Sequence, residues 1–130
     1  VVIGGGLVGA ETAEYLANKG HQVTIVEMMD KIAAGESTTV LPLMMKDFAD
    51  HNVKQLVNTK VDHIENNIVY TANDQIKADT IINALGSKKN IFDDSSITIP
   101  HVCVGDCSGE RTADIASAIR TAYRAANEIG

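Results

Sequence analysis

The sequence predicts an α/β fold, in which a parallel β-sheet with flanking helices is combined with a three-stranded antiparallel β-meander. A strand, a helix and a second strand follow one another closely at the start of the chain, and this order is typical of a βαβ unit with parallel strands. Further on, short β-prone runs are separated by the turn pairs Asn66-Asn67 and Asn73-Asp74, which favour antiparallel hairpins.

Three short segments define the predicted βαβ unit. Residues 1–4 form an apolar, β-branched run that predicts a buried strand. Residues 7–19 predict a helix with a narrow face of small apolar side chains, and Gly20 stands where such a helix ends. Residues 23–26 predict the second strand, and Glu27 follows directly at its end.

The middle of the chain predicts a second helix, the meander and one more strand. Apolar residues at spacings of three and four predict a helix over residues 39–51. The meander is assigned to residues 53–80, where the two turn pairs lie. The β-branched run at residues 80–82 predicts a further buried strand, which Gly86 ends.

The polar stretch 86–100 is the internal boundary that the sequence suggests. Beyond it, residues 102–104 predict a strand, and the chain ends in a helix with Thr112 as candidate N-cap and Gly130 as candidate stop. A sustained apolar stripe on this helix predicts a face in a core or an interface. Its members are Ile115, Ile119, Ala122, Ala126 and Ile129.

Composition restricts the classes of partner. The 130 residues carry a net charge of -6, and 45% of them are apolar, which is ordinary for a soluble globular protein. An acidic chain disfavours nucleic acids and anionic membranes, so neither partner is expected. Cys103 and Cys107 are too few for a disulfide framework and favour a reducing compartment. We therefore expect a cytoplasmic protein.

The glycine-rich turn after the first strand predicts a dinucleotide site. Gly4, Gly6 and Gly9 form a Gly-x-Gly-x-x-Gly motif between a strand and a helix, where they allow a tight turn, backbone approach to a pyrophosphate and close helix packing. The N–H groups of the helix N-terminus then face the phosphates. Glu27, at the end of the second strand, is placed to accept ribose hydroxyls and to repel a 2′-phosphate, which favours NADH over NADPH.

Two longer stretches carry a family resemblance. Residues 4–16, beginning Gly4-Gly5-Gly6-Leu7-Val8-Gly9 and including Glu11, and residues 20–27 resemble the NAD-binding domain of the pyridine nucleotide-disulfide oxidoreductase superfamily. The resemblance implies a Rossmann-like, three-layer FAD/NAD(P)-binding domain. It also implies that Leu7, Val8, Glu11 and Met28 belong to the cofactor site together with the glycines and Glu27.

Later motifs extend the resemblance to a flavin. The stretch ending at Gly86 resembles the point where the chain leaves the NAD domain, and residues 102–107 resemble a Gly-Asp motif that closes an FAD site. The resemblance implies that Gly86 lies near the nicotinamide. It further implies that Gly105 and Asp106 bind FAD, with the Asp106 carboxylate on the ribityl chain.

Residues 26–33 and 118–126 most resemble the C-terminal region of Old Yellow Enzyme-like NADH:flavin oxidoreductases, the group of 2-enoate reductase, 2,4-dienoyl-CoA reductase and trimethylamine dehydrogenase. This implies hydride transfer from NADH to FAD, an enoate or enone acceptor, and FMN and an iron–sulfur cluster in the full-length protein. We expect residues 1–90 to form an NAD(H)-binding domain and residues 91–130 to be the end of an FAD domain. The rest of the polypeptide is then a partner, and the isolated fragment is expected to be inactive.

Two other functions fit the same motifs. One is a regulatory NAD-sensing module, in which βα alternation would continue through residues 53–80. The other is a vestigial domain that holds ADP for structure. The cofactors themselves perform hydride transfer, so no catalytic side chain is predicted, and no cluster of residues predicts a metal site. If the FAD domain is absent, the apolar stripe of the last helix is expected to promote self-association.

Overall fold

A parallel sheet organises the first part of the structure. The computed structural model describes residues 1–35, 37, 39–88, 93–108 and 115–129. The chain divides into two compact units, Val1–Gly86 and Ser87–Gly130; the boundary predicted after residue 90 lies outside the described residues. In chain order the elements are β1 Val2–Ile3, α1 Leu7–Asn18, β2 Thr24–Val26, α2 Leu41–Asp50, β3 Lys54–Leu56, β4 Val61–Glu65, β5 Ile68–Thr71, β6 Gln75–Lys77, β7 Ile82–Asn83 and α3 Ile115–Glu128.

The parallel sheet has the strand order β3-β2-β1-β7, and each strand is parallel to its neighbours. Val2 of the central strand β1 pairs with Ile25 on one side and with Ile82 on the other. Because all four strands run in the same direction, their carboxyl ends meet at one edge of the sheet. The residues that follow β1, β2 and β7 are therefore brought together there.

Both helices of the first unit bury the faces that their sequences predict. Ala10, Ala13 and Ala17 of α1 are buried in the core, and their small size lets the helix pack closely. Met44 and Phe48 of α2 fill the same core. The predicted bounds of both helices are confirmed to within two residues at each end.

The antiparallel meander is confirmed, but its predicted beginning is wrong. Strands β4, β5 and β6 form a separate three-stranded antiparallel sheet. Asn66 and Asn67 have φ values of 47° and 61°, in the left-handed region that a tight hairpin turn requires. The strand Lys54–Leu56, however, pairs in parallel with Thr24–Val26. A short β-prone run carries no local signal for the direction of its partner, so the sequence could not separate β3 from the meander.

Two other strand predictions need correction. The run predicted at residues 80–82 becomes the edge strand Ile82–Asn83, where Ile82 is only half-buried and Asn83 is exposed. Residues 102–104, predicted as a strand, have no strand conformation. A strand requires a neighbour for its backbone hydrogen bonds, and none of the described strands pairs with these residues.

The apolar stripe of α3 is exposed in this chain. Ile115 and Ile119 are 82% and 65% exposed, whereas Ser117, Thr121 and Ala125 are buried. Periodicity identified the apolar face but not a partner for it. The stripe does not lie in a core of this chain, and its roles as an interface and in self-association stay predictions. Thr112 and Gly130 lie outside the described residues. None of the described helices is long and apolar enough to span a membrane.

Candidate functional site

A cleft of about 380 Å³ opens in the first unit at the carboxyl edge of the parallel sheet. Its walls come from the residues that end or follow β1, β2 and β7, together with the segment that leads into β4. The lining residues are Ile3, Gly4, Gly6, Val26, Glu27, Met28, Met29, Thr59, Lys60, Val61, Ala84, Leu85 and Gly86. The cleft therefore collects segments that are far apart in sequence.

Two glycines of the turn are required by backbone packing. Gly4 has a φ of 98°, and a Cβ there would lie 2.5 Å from the carbonyl oxygen of Ala84. A Cβ on Gly9 would lie 1.8 Å from the carbonyl oxygen of Gly4. Neither clash can be relieved by a side-chain rotation, because both partners are backbone atoms. The turn and the first part of α1 thus pack directly against each other.

Gly6 differs from both of these glycines. It is exposed, it lines the cleft, and a Cβ on it would have no atom of the chain within 4 Å. Its φ of -62° is accessible to any residue. The missing side chain at Gly6 is therefore not explained by packing within the chain, and it leaves the backbone open to a ligand.

Glu27 holds two backbone segments at the cleft. Its Oε2 accepts a hydrogen bond from the N–H of Gly5 at 2.6 Å, and its Oε1 accepts one from the N–H of Met29 at 2.7 Å. Only 9% of the residue is exposed. The carboxylate therefore stands at the junction of the glycine-rich turn and the loop after β2, with its charge matched by two backbone donors.

The segment between β3 and β4 is tied to the loop after β2. The Asn58 N–H donates to the Met29 carbonyl, and the Thr59 N–H donates to the Glu27 carbonyl, both at 2.8 Å. These bonds place residues 59–61 on the cleft wall. Lys60 brings a positive charge to the same cleft that Glu27 lines.

The predicted site residues fall into four groups. Gly4, Gly6, Glu27, Met28 and Gly86 line the cleft, whereas Gly5 and Gly9 are buried behind its surface. Leu7, Val8 and Glu11 lie on the exposed face of α1 and do not line the cleft. Gly105 and Asp106 belong to the second unit.

The sequence did not predict the other residues of the cleft wall, which are Ile3, Val26, Met29, Thr59, Lys60, Val61, Ala84 and Leu85. Residues 59–61 could have been predicted only by placing the preceding strand, Lys54–Leu56, in the parallel sheet. Because that strand was assigned to the meander, the following residues were not expected at the carboxyl edge of the parallel sheet. Ala84 and Leu85 directly follow β7 and immediately precede Gly86, which was predicted.

In the second unit, the turn that carries Asp106 is fixed to α3. Residues Gly105–Cys107 form one turn of 3₁₀-helix, and Gly105 has a φ of 64°. The Gly105 N–H donates to Oγ1 of Thr121 at 2.8 Å, and this hydroxyl donates in turn to the Ser117 carbonyl at 3.0 Å. Asp106 itself is exposed. Among the described residues, no group of three or more metal-ligating side chains occurs.

Comparison with known proteins identifies the family. Residues 1–101 match the family model described as pyridine nucleotide-disulphide oxidoreductase. The chain belongs to this family. Its members are oxidoreductases that bind FAD and NAD(H), and the parallel sheet with a separate antiparallel sheet is their Rossmann-like dinucleotide-binding fold.

Three proteins to which this chain is similar are informative. The chain is 46% identical to bilirubin reductase of Mediterraneibacter gnavus (strain CC55_001C) and 30% identical to cinnamate reductase of Clostridium sporogenes. Each match covers 99% of this chain but 21% of the relative, so the chain spans about a fifth of these proteins. The water-forming NADH oxidase of Lactobacillus brevis, solved bound to NADH, superposes with a TM-score of 0.58 at 26% identity, over 68% of this chain and 21% of that one.

Proposed function

We propose that the first unit binds NADH in the cleft at the carboxyl edge of the parallel sheet. One observation carries the proposal. A single cleft is lined by an open glycine of the turn, Gly6, and by the carboxylate of Glu27. These are the two chemical features that a dinucleotide requires, a backbone that its phosphates can approach and an acceptor for its ribose hydroxyls.

The phosphate end of the proposed site is the N-terminus of α1. The N–H groups of the first helical turn have no intrahelical acceptor, and the helix dipole adds partial positive charge at the same place. Gly6 precedes this turn and carries no side chain that would keep a pyrophosphate away. A phosphate at this position replaces water as the acceptor for these donors.

The ribose end of the proposed site is Glu27. Each carboxylate oxygen accepts one backbone N–H and retains a lone pair for a further donor, such as a ribose hydroxyl. A 2′-phosphate would instead bring two like charges together in a half-enclosed cleft. We therefore propose that the site selects NADH over NADPH. Lys60 would attract a 2′-phosphate, and we propose that repulsion by the Glu27 carboxylate outweighs this attraction.

For the full-length protein we propose an NADH:flavin oxidoreductase. The nicotinamide and the flavin supply the hydride chemistry, whereas the residues of this chain bind and orient. Gly105 and Asp106 are proposed to hold the ribityl part of FAD, which is consistent with a carboxylate on a turn fixed by Thr121. An enoate-type C=C acceptor is favoured by the 30% identity to cinnamate reductase. FMN and an iron–sulfur cluster in the remainder of the protein are part of the same proposal.

The alternative of a regulatory NAD-sensing module is disfavoured by the meander. That alternative expects βα alternation through residues 53–80, whereas residues 61–77 form three antiparallel strands. A vestigial site that recognises only the ADP part of a nucleotide would use the same cleft. It differs from the proposal in one measurable property, because ADP and NADH would then bind equally well.

Calorimetric titration of the chain with NADH, NADPH and ADP tests the proposal. We expect NADH to bind in the micromolar-to-millimolar range and NADPH at least about tenfold more weakly. Glu27→Ala should remove this preference, because the carboxylate that repels a 2′-phosphate is lost while Lys60 remains in the cleft. Glu65→Ala, which removes an exposed carboxylate from β4, is the matched control and should keep the preference. Equal affinity of the unmodified chain for NADH and NADPH would contradict the role of Glu27.

A further inference from the structure

The peptide groups on both sides of Gly5 are held by hydrogen bonds. The Gly5 N–H donates to Glu27 at 2.6 Å, and the Gly5 carbonyl accepts a hydrogen bond from the Ala33 N–H, also at 2.6 Å. Both backbone groups of Gly5 are therefore used within the chain. A bound phosphate must find its donors elsewhere, beginning with the next residue, Gly6.

Ala33 occupies an unusual backbone conformation. Its φ of 51° lies in the left-handed region, and the residue is fully buried. A non-glycine residue in this region carries a conformational cost, which the surrounding structure must offset. The side chain of the preceding Ile32 helps to hold the loop in place, because its Cδ1 lies close to Gly5. A Cβ added to Gly5 would be 2.5 Å from this atom. The loop after β2 thus reaches Gly5 with a side chain and with a backbone donor.

We propose that Ala33 is a positioning residue that aims the Gly6 N–H at the pyrophosphate of the bound dinucleotide; this inference rests on the function proposed above. The peptide between Gly5 and Gly6 is planar and trans, so its carbonyl and its N–H point in opposite directions. Fixing the Gly5 carbonyl on the Ala33 N–H therefore fixes the direction of the Gly6 N–H. Gly6 lines the cleft and has open space around it.

A positioning role for Ala33 predicts a different binding result from a purely structural role. If Ala33 acts through the Gly6 N–H, its loss affects the phosphates and leaves the adenosine contacts of the cleft in place. Ala33→Val puts a β-branched side chain at a φ of 51°, which such residues avoid. Ala33→Gly retains the backbone N–H and permits the same φ, and it is the matched control.

Titration of the chain with NADH and with adenosine, followed by NMR, tests the inference. Ala33→Val is expected to weaken NADH binding roughly tenfold, the effect of about one lost hydrogen bond, and to change adenosine binding less than about twofold. Ala33→Gly is expected to bind both ligands as the unmodified chain does. An unchanged NADH affinity in Ala33→Val, or an equal loss for adenosine, would overturn the inference.

Two further measurements keep the test decisive if Ala33→Val does not fold. In the unmodified chain, the Ala33 amide is expected to be protected from hydrogen exchange; exchange at the rate of an open loop overturns the inference. A Cβ in Gly5→Ala would lie 2.5 Å from Cδ1 of Ile32, which Ile32→Val removes, and 3.0 Å from Cβ of Glu27, which remains. Gly5→Ala is therefore expected to weaken NADH binding, and the addition of Ile32→Val to restore part of it. If the unmodified chain binds no NADH at all, the proposed function fails. If it binds NADH but Gly5→Ala binds equally well, only the positioning role fails.

Discussion

The carboxylate of Glu27 accepts a hydrogen bond from the backbone N–H of Gly5 at 2.6 Å, which connects the end of β2 to the glycine-rich turn after β1. The second carboxylate oxygen accepts the Met29 N–H. The residue expected to recognise ribose is thus also a structural acceptor for two backbone segments. Stability and ligand selectivity are linked at this position.

Removing the carboxylate should therefore destabilise the fold as well as alter selectivity. Glu27→Ala leaves two backbone donors without an acceptor in a buried position, and we expect a loss of about 2 kcal/mol in the free energy of unfolding. The stability of Glu27→Gln should lie between those of Glu27→Ala and the unmodified chain, because its amide oxygen accepts one N–H while its NH₂ group faces the other. Urea unfolding measures both. A Glu27→Ala variant as stable as the unmodified chain would show that these hydrogen bonds contribute nothing net.

The glycines of the turn should respond differently to the addition of one methyl group. Gly9→Ala places a Cβ 1.8 Å from the Gly4 carbonyl oxygen, and we expect a loss of about 3 kcal/mol. Gly6→Ala meets open space at a permitted φ, so stability should stay within about 1 kcal/mol while NADH binding weakens. Thermal unfolding and calorimetry separate these effects. The prediction is contradicted if Gly6→Ala is the less stable variant.

Glu14 on α1 should make stability depend on pH. Burial raises the pKa of this carboxyl, and the carboxylate of Asp47 and a hydrogen bond to it raise the pKa further. The folded state then holds its proton to a higher pH than the unfolded chain, so the free energy of unfolding falls as the pH rises from about 4.5 through the raised pKa.

The test is Glu14→Gln, which cannot ionise and should flatten this fall and be the more stable protein at neutral pH. Unfolding curves measured at a series of pH values check this, with Glu65→Gln on the exposed strand β4 as the control. A pH profile that is the same in Glu14→Gln and in the unmodified chain would assign the dependence to other groups.

In the second unit, His101 should titrate above its ordinary range. Its Nδ1 lies 3.0 Å from the Ile99 carbonyl oxygen and its Nε2 lies 2.9 Å from Oδ2 of Asp94. Two acceptors favour the imidazolium, so the Ile99 carbonyl and the Asp94 carboxylate raise the pKa of His101, and His101 lowers the pKa of Asp94. The stabilisation is complete below the unfolded pKa of about 6.5 and is lost as the pH rises through the raised value.

NMR titration of the imidazole shows the pKa of His101 directly. Asp94→Asn should lower it toward 6.5, whereas Asp93→Asn, a change in the adjacent carboxylate that instead holds Ser95, should leave it in place. If Asp93→Asn has the larger effect, the assignment of the partner is wrong.

One residue on the buried face of α3 and one on its exposed face provide another matched pair of variants. Thr121→Val preserves the shape of the side chain but removes the acceptor of the Gly105 N–H, and we expect a loss of about 1 kcal/mol and faster exchange of the Gly105 amide. Ile119→Thr changes a residue that is 65% exposed and should alter stability by less than about 0.5 kcal/mol. If the apolar stripe is instead packed against another surface in solution, Ile119→Thr would destabilise the protein more than Thr121→Val.

The sequence by itself determined the local features of this protein. The βαβ unit, the inner faces of α1 and α2, the hairpin at Asn66-Asn67 and the need for glycine at Gly9 follow from propensity, periodicity and steric limits, which act within a few residues. The family also followed from motifs of this kind. These features can be predicted because the interactions that select them are close in the chain.

The tertiary structure alone decided which distant segments meet. It placed Lys54–Leu56 in the parallel sheet, and so brought Thr59 and Lys60 to the cleft. It also put the left-handed Ala33 against Gly5, and it left the stripe of α3 exposed. The pairing of a short strand, or the partner of an apolar face, depends on which surfaces the rest of the chain brings near, and no local pattern of residues encodes that choice.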